Sequence, residues 1–417
     1  MKKLNFLREK YPQFVYDNYF YRVSGKNLEI FFIFRINPGI YFKPKIVIEN
    51  IDKKRVIRIG DRELNNLIFH LGLMEIPSYW KTTCSPEIII KAGPLNKEQI
   101  NWWKDLIIQG MGQFFYENKI NWRSPNFLKI KSRSNEICKR FDKGLKNRYL
   151  VPVGWGKDSI VTLESLKKQK KEINSFSVNP TKITKKTLMV AGIKKPIIVK
   201  RTLDYSLLEL NKKGYLNGHT PFTAVLSFLA VFSAVLFDYK NIAFSNEKSA
   251  DEGNVKYLGK IINHQYAKSS RFEKKFKEYC KKYLAKNINY FSYLRPYTEL
   301  EISKRFVKYP QYFSIFSSCN VVVAKKLKKK WCGKCPKCLF VYATLYPFLE
   351  KKQILKIFGE DFFEKKELLP LMKSLTEPKK RKPFECVGTK KESKMAFELS
   401  LKKARKSGKI PYLLKNV

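Results

Sequence analysis

An α/β protein with a parallel sheet and crossover helices is the fold class this sequence predicts, with an N-terminal α+β region before it and a zinc-stapled helical region after it. Three observations lead there. Strand-like apolar runs alternate with helical or loop segments from residue 146 to about 300; a glycine-bearing loop separates the first of these strands from a helix; and four cysteines at metal-ligand spacing gather beyond residue 300. The predicted division is therefore 1–145, 146–300 and 301–417.

In the first region, Leu28 to Phe34 and Lys45 to Ile48 read as strands from their β-branched and aromatic content, with Asn37-Pro38-Gly39 as punctuation. A helix is predicted over Glu98–Gly110, carrying Trp102 and Trp103. Between them, Ser78 to Glu87 reads as a loop-like aromatic anchor, and its Cys84 as a buried inert thiol in preference to a nucleophile.

The chain is organised around Leu150 to Ser159, an apolar run that breaks at Gly154-Trp155-Gly156 and continues as Lys157-Asp158-Ser159 into the helix-period segment Ile160 to Leu166. Strand, glycine loop and helix N-terminus together make a phosphate cradle, because glycine leaves backbone N–H groups accessible and the helix dipole favours an anion. In that reading Lys157 adds charge, Asp158 holds Mg²⁺ on polyphosphate oxygens, and Ser159 caps the helix while donating to phosphate. The spacing excludes a Walker loop, which needs four residues between its glycines.

Asn174 to Val178, Pro196 to Val199 and Asn241 to Phe244 are the further strands. Pro221 suits the first turn of the helix Phe222–Phe237, whose small residues Thr223, Ser227, Ala230 and Ala234 form a stripe for packing on a sheet. That run is shorter than the ~20 residues a membrane span needs. Ser245 to Asn254 follows a strand's carboxyl end, where open parallel sheets bind ligands, and places Glu247 there. His264 is one of three histidines, with His70 and His219, each also readable as a satisfied core residue.

Cys319, then Cys332-Gly333-Lys334-Cys335-Pro336-Lys337-Cys338, supplies four thiolates for one tetrahedral Zn²⁺, with Gly333 permitting the knuckle turn. An iron–sulfur cluster is the alternative, although no further cysteine follows at ferredoxin spacing. A structural metal there would tie the segment after Pro296 to the helix that Leu339 begins. Lys382 to Thr389 reads as a turn docking on the core and brings Cys386 with it; Lys402 to Lys409 reads as a solvated basic helix end.

The net charge of +48 is spread along the chain, and only the runs Lys325-Lys326, Lys328 to Lys330 and Lys379 to Lys382 come close to the basic clustering of a nucleic-acid binder. With 44% hydrophobic residues the composition is that of a folded protein, and the dispersed charge favours anionic small substrates over nucleic acid. Met1 to Lys10 shows charge before any apolar core of a signal peptide, so a cytoplasmic, reducing setting is expected, in which eight cysteines point to metal sooner than disulfides.

The loop resembles the S-G-G-x-D-S loop of the PP-loop ATP pyrophosphatases, with Gly154 in place of Ser and Trp155, a side chain that disfavours positive φ, in place of the first Gly. Over nearly the whole chain, Ser78 to Glu87, Trp102-Trp103-Lys104, Gly154 to Glu164, Ser245 to Asn254, Asn263 to Tyr266, Leu294-Arg295-Pro296, Trp331 to Cys338 and Lys382 to Thr389 resemble the ATP-dependent UDP-N-acetylmuramoyl-L-alanyl-L-glutamate epimerases of peptidoglycan precursor synthesis. The resemblance implies that ATP adenylates the terminal L-glutamate of a UDP-linked muramoyl dipeptide, releasing AMP and diphosphate, and that the product carries D-glutamate. It makes residues 146–300 an ATP-binding domain of adenine nucleotide hydrolase type, with Gly154, Gly156, Lys157, Asp158 and Ser159 on the nucleotide, Mg²⁺ as its ion, and Cys319, Cys332, Cys335 and Cys338 on zinc.

Proton transfer at the glutamate α-carbon then needs groups that titrate near neutral pH. His264 is the expected base, Cys386 the thiol serving the opposite face, and Glu247 either a carboxylate of raised pKa or a ligand of Mg²⁺. Two other readings compete. A different PP-loop adenylating enzyme, such as 7-cyano-7-deazaguanine synthase or a tRNA-thiolating enzyme, shares the loop and the four cysteines but leaves the first 145 residues without a role. A nucleic-acid-binding zinc protein would use the charge alone. The oligomeric state is not legible.

Overall fold

Eleven strands form one sheet that runs through both the N-terminal region and the α/β region. The computed structural model describes residues 2–132, 138–325 and 327–417; Met1 of the N-terminal segment and Lys326 of the basic run lie outside them. The strands are β1 (Gln13–Ser24), β2 (Asn27–Asn37), β3 (Ile40–Phe42), β4 (Lys45–Ile48), β5 (Glu87–Ile90), β6 (Lys129–Ser132), β7 (Tyr149–Pro152), β8 (Ile173–Val178), β9 (Ile197–Thr202) and β10 (Asn241–Phe244). A separate hairpin of β11 (Val255–Tyr257) and β12 (Lys260–Ile262) precedes β13 (Asn289–Ser292).

The sheet order is β13-β10-β7-β8-β9-β4-β2-β1-β5-β6, with β3 on β2. Strands β13 to β9 of this order are parallel, as are β1, β5 and β6, whereas β9–β4, β4–β2 and β2–β1 are antiparallel. Numbered by chain position, the five-strand parallel block reads 3-2-1-4-5, the doubly wound order in which the chain reverses direction between β7 and β10.

Local sequence explains these strands. In β2, Leu28, Ile30, Phe32, Phe34 and Ile36 alternate with less buried residues, which puts one apolar face on the core. In the parallel block both faces are covered: Leu150 and Ile242 enter one core, and their neighbours Val151 and Ala243 enter the other. The predicted strands and the parallel connectivity are present, and the predicted helix occupies Lys97–Gly110.

Helix Phe222–Phe237 lies buried on the first face, with Ala224, Ala230 and Ala234 fully covered. Among the described residues no helix is long and apolar enough to cross a membrane. Beside it packs helix Asp61–Trp80, so Ser78, Tyr79 and Trp80 are helical, and only Lys81 to Cys84 make the turn expected for the whole stretch. That helix passes β1 closely enough that a Cβ at Gly72 would lie 2.0 Å from the Tyr16 hydroxyl. Cys84 is fully buried, and burial pushes its thiol well up, in keeping with an inert packing role.

Helices Lys157–Lys168, Glu299–Phe306 and Pro336–Leu345 cover the second face together with the C-terminal helix Lys390–Lys406. The third of these begins three residues before Leu339, because Pro336 can occupy a first helical turn.

Candidate active site

A cavity of about 270 Å³ opens between β7 and β10, where the strand order reverses. Strand ends supply its floor: Pro152 to Gly156 after β7, Phe176 to Val178 on β8, and Phe244 to Asn246 after β10. Phe222, Thr223 and Leu226, from the start of the apolar helix, give it an apolar wall. Asp158, Ser159, Lys268, Lys337 and Cys386 supply the polar groups.

The glycine loop needs no left-handed residue: Gly154, Trp155 and Gly156 all avoid positive φ, so Trp155 fits without strain. A Cβ at Gly154 would meet nothing within 4 Å, which leaves that backbone open to a ligand. Gly156 is the N-cap of helix Lys157–Lys168, and Ser159 lies inside the first turn, its hydroxyl donating to the Gly156 carbonyl at 3.3 Å. Ser159 therefore does not cap the helix as the sequence suggests.

Lys157 does not reach into the cavity. Its Nζ is buried between Glu299 Oε2, at 2.5 Å, and Asp158 Oδ1, at 2.6 Å. Burial disfavours its charge, but Asp158 and Glu299 outweigh that and raise its pKa. Burial also works against ionised Asp158, yet Lys157, Lys337 and Lys268 hold its pKa below the ordinary value. Glu299 shifts upward because burial dominates and Asp158 adds to it. Asp158 is thus a stable anion at the cavity wall, the kind of oxygen donor that Mg²⁺ accepts.

Lys268 is a half-buried cation of the cavity lining. Burial opposes its charge, and Cys386, Glu247 and Asp158 override it and raise its pKa. Its Nζ is 3.2 Å from Cys386 Sγ. Glu247 is buried; its carbonyl accepts from Arg295 Nη1 at 2.7 Å, and its carboxylate lies among the charges acting on Lys268 and Glu299 but outside the cavity lining.

Cys386 reaches the cavity because its tail segment is pinned: Asn254 Nδ2 donates to the Pro383 carbonyl at 2.7 Å, and Lys382 pairs with Glu252 at 3.1 Å. Behind it, His264 Nε2 stands 3.9 Å from Cys386 Sγ. With Gln113 Oε1 accepting from Nδ1 at 3.1 Å, His264 turns its Nε2 lone pair toward the thiol. Burial, then Lys268, lowers the His264 pKa to about 4, so the ring is neutral at neutral pH. Of the two groups only Cys386 lines the cavity, and His264 stands behind it. His219 lies 5.3 Å from His264, ring to ring, and burial lowers it to about 3. His70 is a core histidine, bonded to the Asn66 carbonyl and the Tyr279 hydroxyl at 2.8 and 2.9 Å.

Cys319, Cys332, Cys335 and Cys338 are all buried, with every Sγ within 4.8 Å of the others. The Cys319–Cys335 and Cys332–Cys338 separations are 3.8 and 3.7 Å. Four ~2.3 Å Zn–S bonds in a tetrahedron give edges of ~3.8 Å, so the thiols can hold one such ion. Gly333 turns the knuckle at φ 68°, where a Cβ would lie 2.6 Å from Glu360 Oε1.

Sequence reasoning missed Lys268, Lys337, Ser318, Asn320 and Glu299. Lys337 had a usable signal, its place between Cys335 and Cys338; Lys268 and Glu299 had none apart from nearness to stretches already noted.

The MurL N-terminal domain family matches residues 5–293, and the MurL C-terminal domain family matches residues 315–413. The chain is 32% identical over 338 residues to a UDP-N-acetyl-alpha-D-muramoyl-L-alanyl-L-glutamate epimerase of Xanthomonas oryzae pv. oryzae, covering 80% of this chain and 74% of that one. It is 33% identical over 328 residues to an epimerase of the same name from Salinispora tropica, covering 77% and 70%. A third of that name, from a Micromonospora species, is 32% identical over 327 residues, covering 77% and 72%.

Proposed function

The chain belongs to the MurL family of epimerases, and from that membership we propose that it inverts the terminal L-glutamate of UDP-N-acetylmuramoyl-L-alanyl-L-glutamate in peptidoglycan precursor synthesis, at the cost of ATP. The observation that carries this reading is the cavity at the strand-order reversal, which gathers an open glycine loop, a stable carboxylate at Asp158, two cations and a cysteine in one space.

In the proposal, residues 146–300 are a PP-loop-like ATP-binding domain, residues 1–145 and 301–417 flank it, and the apolar wall takes the base. Gly154, Gly156, Asp158 and Ser159 meet the phosphates, and Lys157 acts through the charge of Asp158. Asp158 would hold Mg²⁺, and the four cysteines would hold a structural zinc ion. ATP supplies activation: adenylating the α-carboxylate, with diphosphate leaving, removes the negative charge beside the α-carbon and lets the carbonyl delocalise a carbanion. Water later cleaves the mixed anhydride and frees AMP.

Proton transfer falls to Cys386 and His264. Cys386 faces the cavity, and the neutral His264, 3.9 Å behind it, is the base that exchanges a proton with it. Lys268 neutralises charge that develops beside them, and Glu247 balances Lys268.

The test is to incubate the purified protein with Mg²⁺, ATP and the UDP-linked dipeptide, then score AMP, diphosphate and glutamate chirality. AMP formation coupled to D-glutamate is expected; inversion that needs no ATP, or AMP formation without inversion, would displace the reading.

A further inference from the structure

Three residues of the cavity wall, Ser318, Asn320 and Lys337, are sequence neighbours of the clustered cysteines Cys319 and Cys338. The backbone is joined there too. The Ser317 N–H donates to the Trp155 carbonyl at 3.0 Å, in the middle of the glycine loop. The Ser317 hydroxyl accepts from the Cys319 N–H at 3.2 Å and donates to the Lys330 carbonyl at 2.7 Å. A Cβ at Gly156 would come within 3.2 Å of Ser318 Oγ, so the loop lies directly on this segment.

Lys337 is only 6% exposed. Among the described residues its Nζ meets one hydrogen-bond acceptor, the Cys386 carbonyl, and it lies 5.6 Å from the centre of the Phe340 ring. An ammonium carries three N–H donors, so donors remain for a ligand in the cavity that Lys337 lines. A buried lysine with spare donors, beside an open glycine loop, is suited to a phosphate oxygen.

We propose that the four-cysteine centre is part of the nucleotide site: Lys337, held between Cys335 and Cys338, binds the polyphosphate, and Ser317 to Asn320, anchored at Cys319, fixes the glycine loop against it. This rests on the reading of the cavity as an ATP site and adds to it a function for the metal knuckle that a remote structural staple would lack. Loss of the metal would then empty the cavity wall of a cation and release the loop at Trp155, even where the sheet persists.

The test is calorimetric titration of the full chain with Mg²⁺-ATP, alongside its metal content and melting temperature. Lys337→Gln is expected to bind about 10- to 100-fold more weakly at unchanged metal content. Lys337→Arg should recover most of the affinity, and Lys334→Gln, on the exposed side of the same knuckle, should bind as the parent does. Equal affinity in Lys337→Gln overturns the inference and leaves the ATP reading standing; a parent protein that binds no Mg²⁺-ATP overturns both. Hydrogen exchange on the parent protein is independent of how any variant folds. Mg²⁺-ATP should slow exchange at 154–159 and also at 317–320 and 336–338, and protection confined to 154–159 overturns the assignment of the knuckle.

Discussion

The lysine buried between two carboxylates gives the most discriminating prediction. Lys157 and Glu299 side chains are each 1% exposed and 2.5 Å apart, and Asp158, on the other side of the ammonium, is 26% exposed. Lys157→Met removes the bridging cation and leaves Glu299 buried without it, which is expected to cost ~3–5 kcal/mol. Asp158→Asn leaves the Lys157–Glu299 pair intact and should cost only ~1–3 kcal/mol, as for a hydrogen bond to a charged group. Stability and activity should therefore separate. Asp158→Asn remains folded but releases diphosphate from ATP about 100-fold more slowly, because the anion facing the polyphosphate is gone. Lys157→Met loses far more stability. Urea unfolding followed by tryptophan fluorescence, with a diphosphate-release assay on the same samples, measures both. An Asp158→Asn variant with the parent's rate, or a Lys157→Met variant no less stable than Asp158→Asn, would refute the reasoning.

Elemental analysis should find about one zinc per chain, and chelation should lower the melting temperature; iron in its place, or an unchanged melting curve in metal-free protein, would contradict the four-thiolate site. Burial holds His70 and His264 near pKa 4 and His219 near 3, against an ordinary 6.5, so the unfolded chain takes up protons that the folded chain refuses. Their contribution is complete above pH 6.5 and is lost as the pH falls toward 4 and then 3, and urea unfolding at several pH values should show stability dropping across that interval. In deuterated water with ATP and substrate, His264→Ala should still release diphosphate while placing little deuterium at the glutamate α-carbon; normal exchange and inversion would remove His264 from proton transfer.

What could be read from the chain was whatever is local. The glycine loop, each strand of the parallel block and the cysteine set lie within about twenty residues or fewer, and each reappears in the structure. Non-local contacts were hidden. Helix Asp61–Trp80 is buried almost all round, its polar Glu63, Asn66, His70 and Glu75 included, and contains Gly72 and Pro77, so it shows neither amphipathic period nor clean ends. Lys268 was indistinguishable among 84 basic residues, and Lys337 stood out only by its place between Cys335 and Cys338, since tertiary packing decides which lysines face Asp158 and Cys386. The position of Cys386 at the cavity wall depends on Asn254 and Glu252, more than a hundred residues upstream.

The pairing of β4 with β9 has a mechanical consequence. Lys45 to Ile48 bond in antiparallel register to Val199 to Thr202, so the strand that would end the five-strand block is instead an interior strand. Two lobes joined by a linker can pivot to close on a ligand, whereas lobes that share a sheet would have to break a ladder of backbone hydrogen bonds to do so. Adjustment to substrate is therefore left to the loops beyond the strand ends, around Gly154, Asn246 and Cys386. The same pairing protects solubility. A fragment starting at residue 146 would expose β9 as a bare edge, open to strand addition from another molecule, and should aggregate where the whole chain does not.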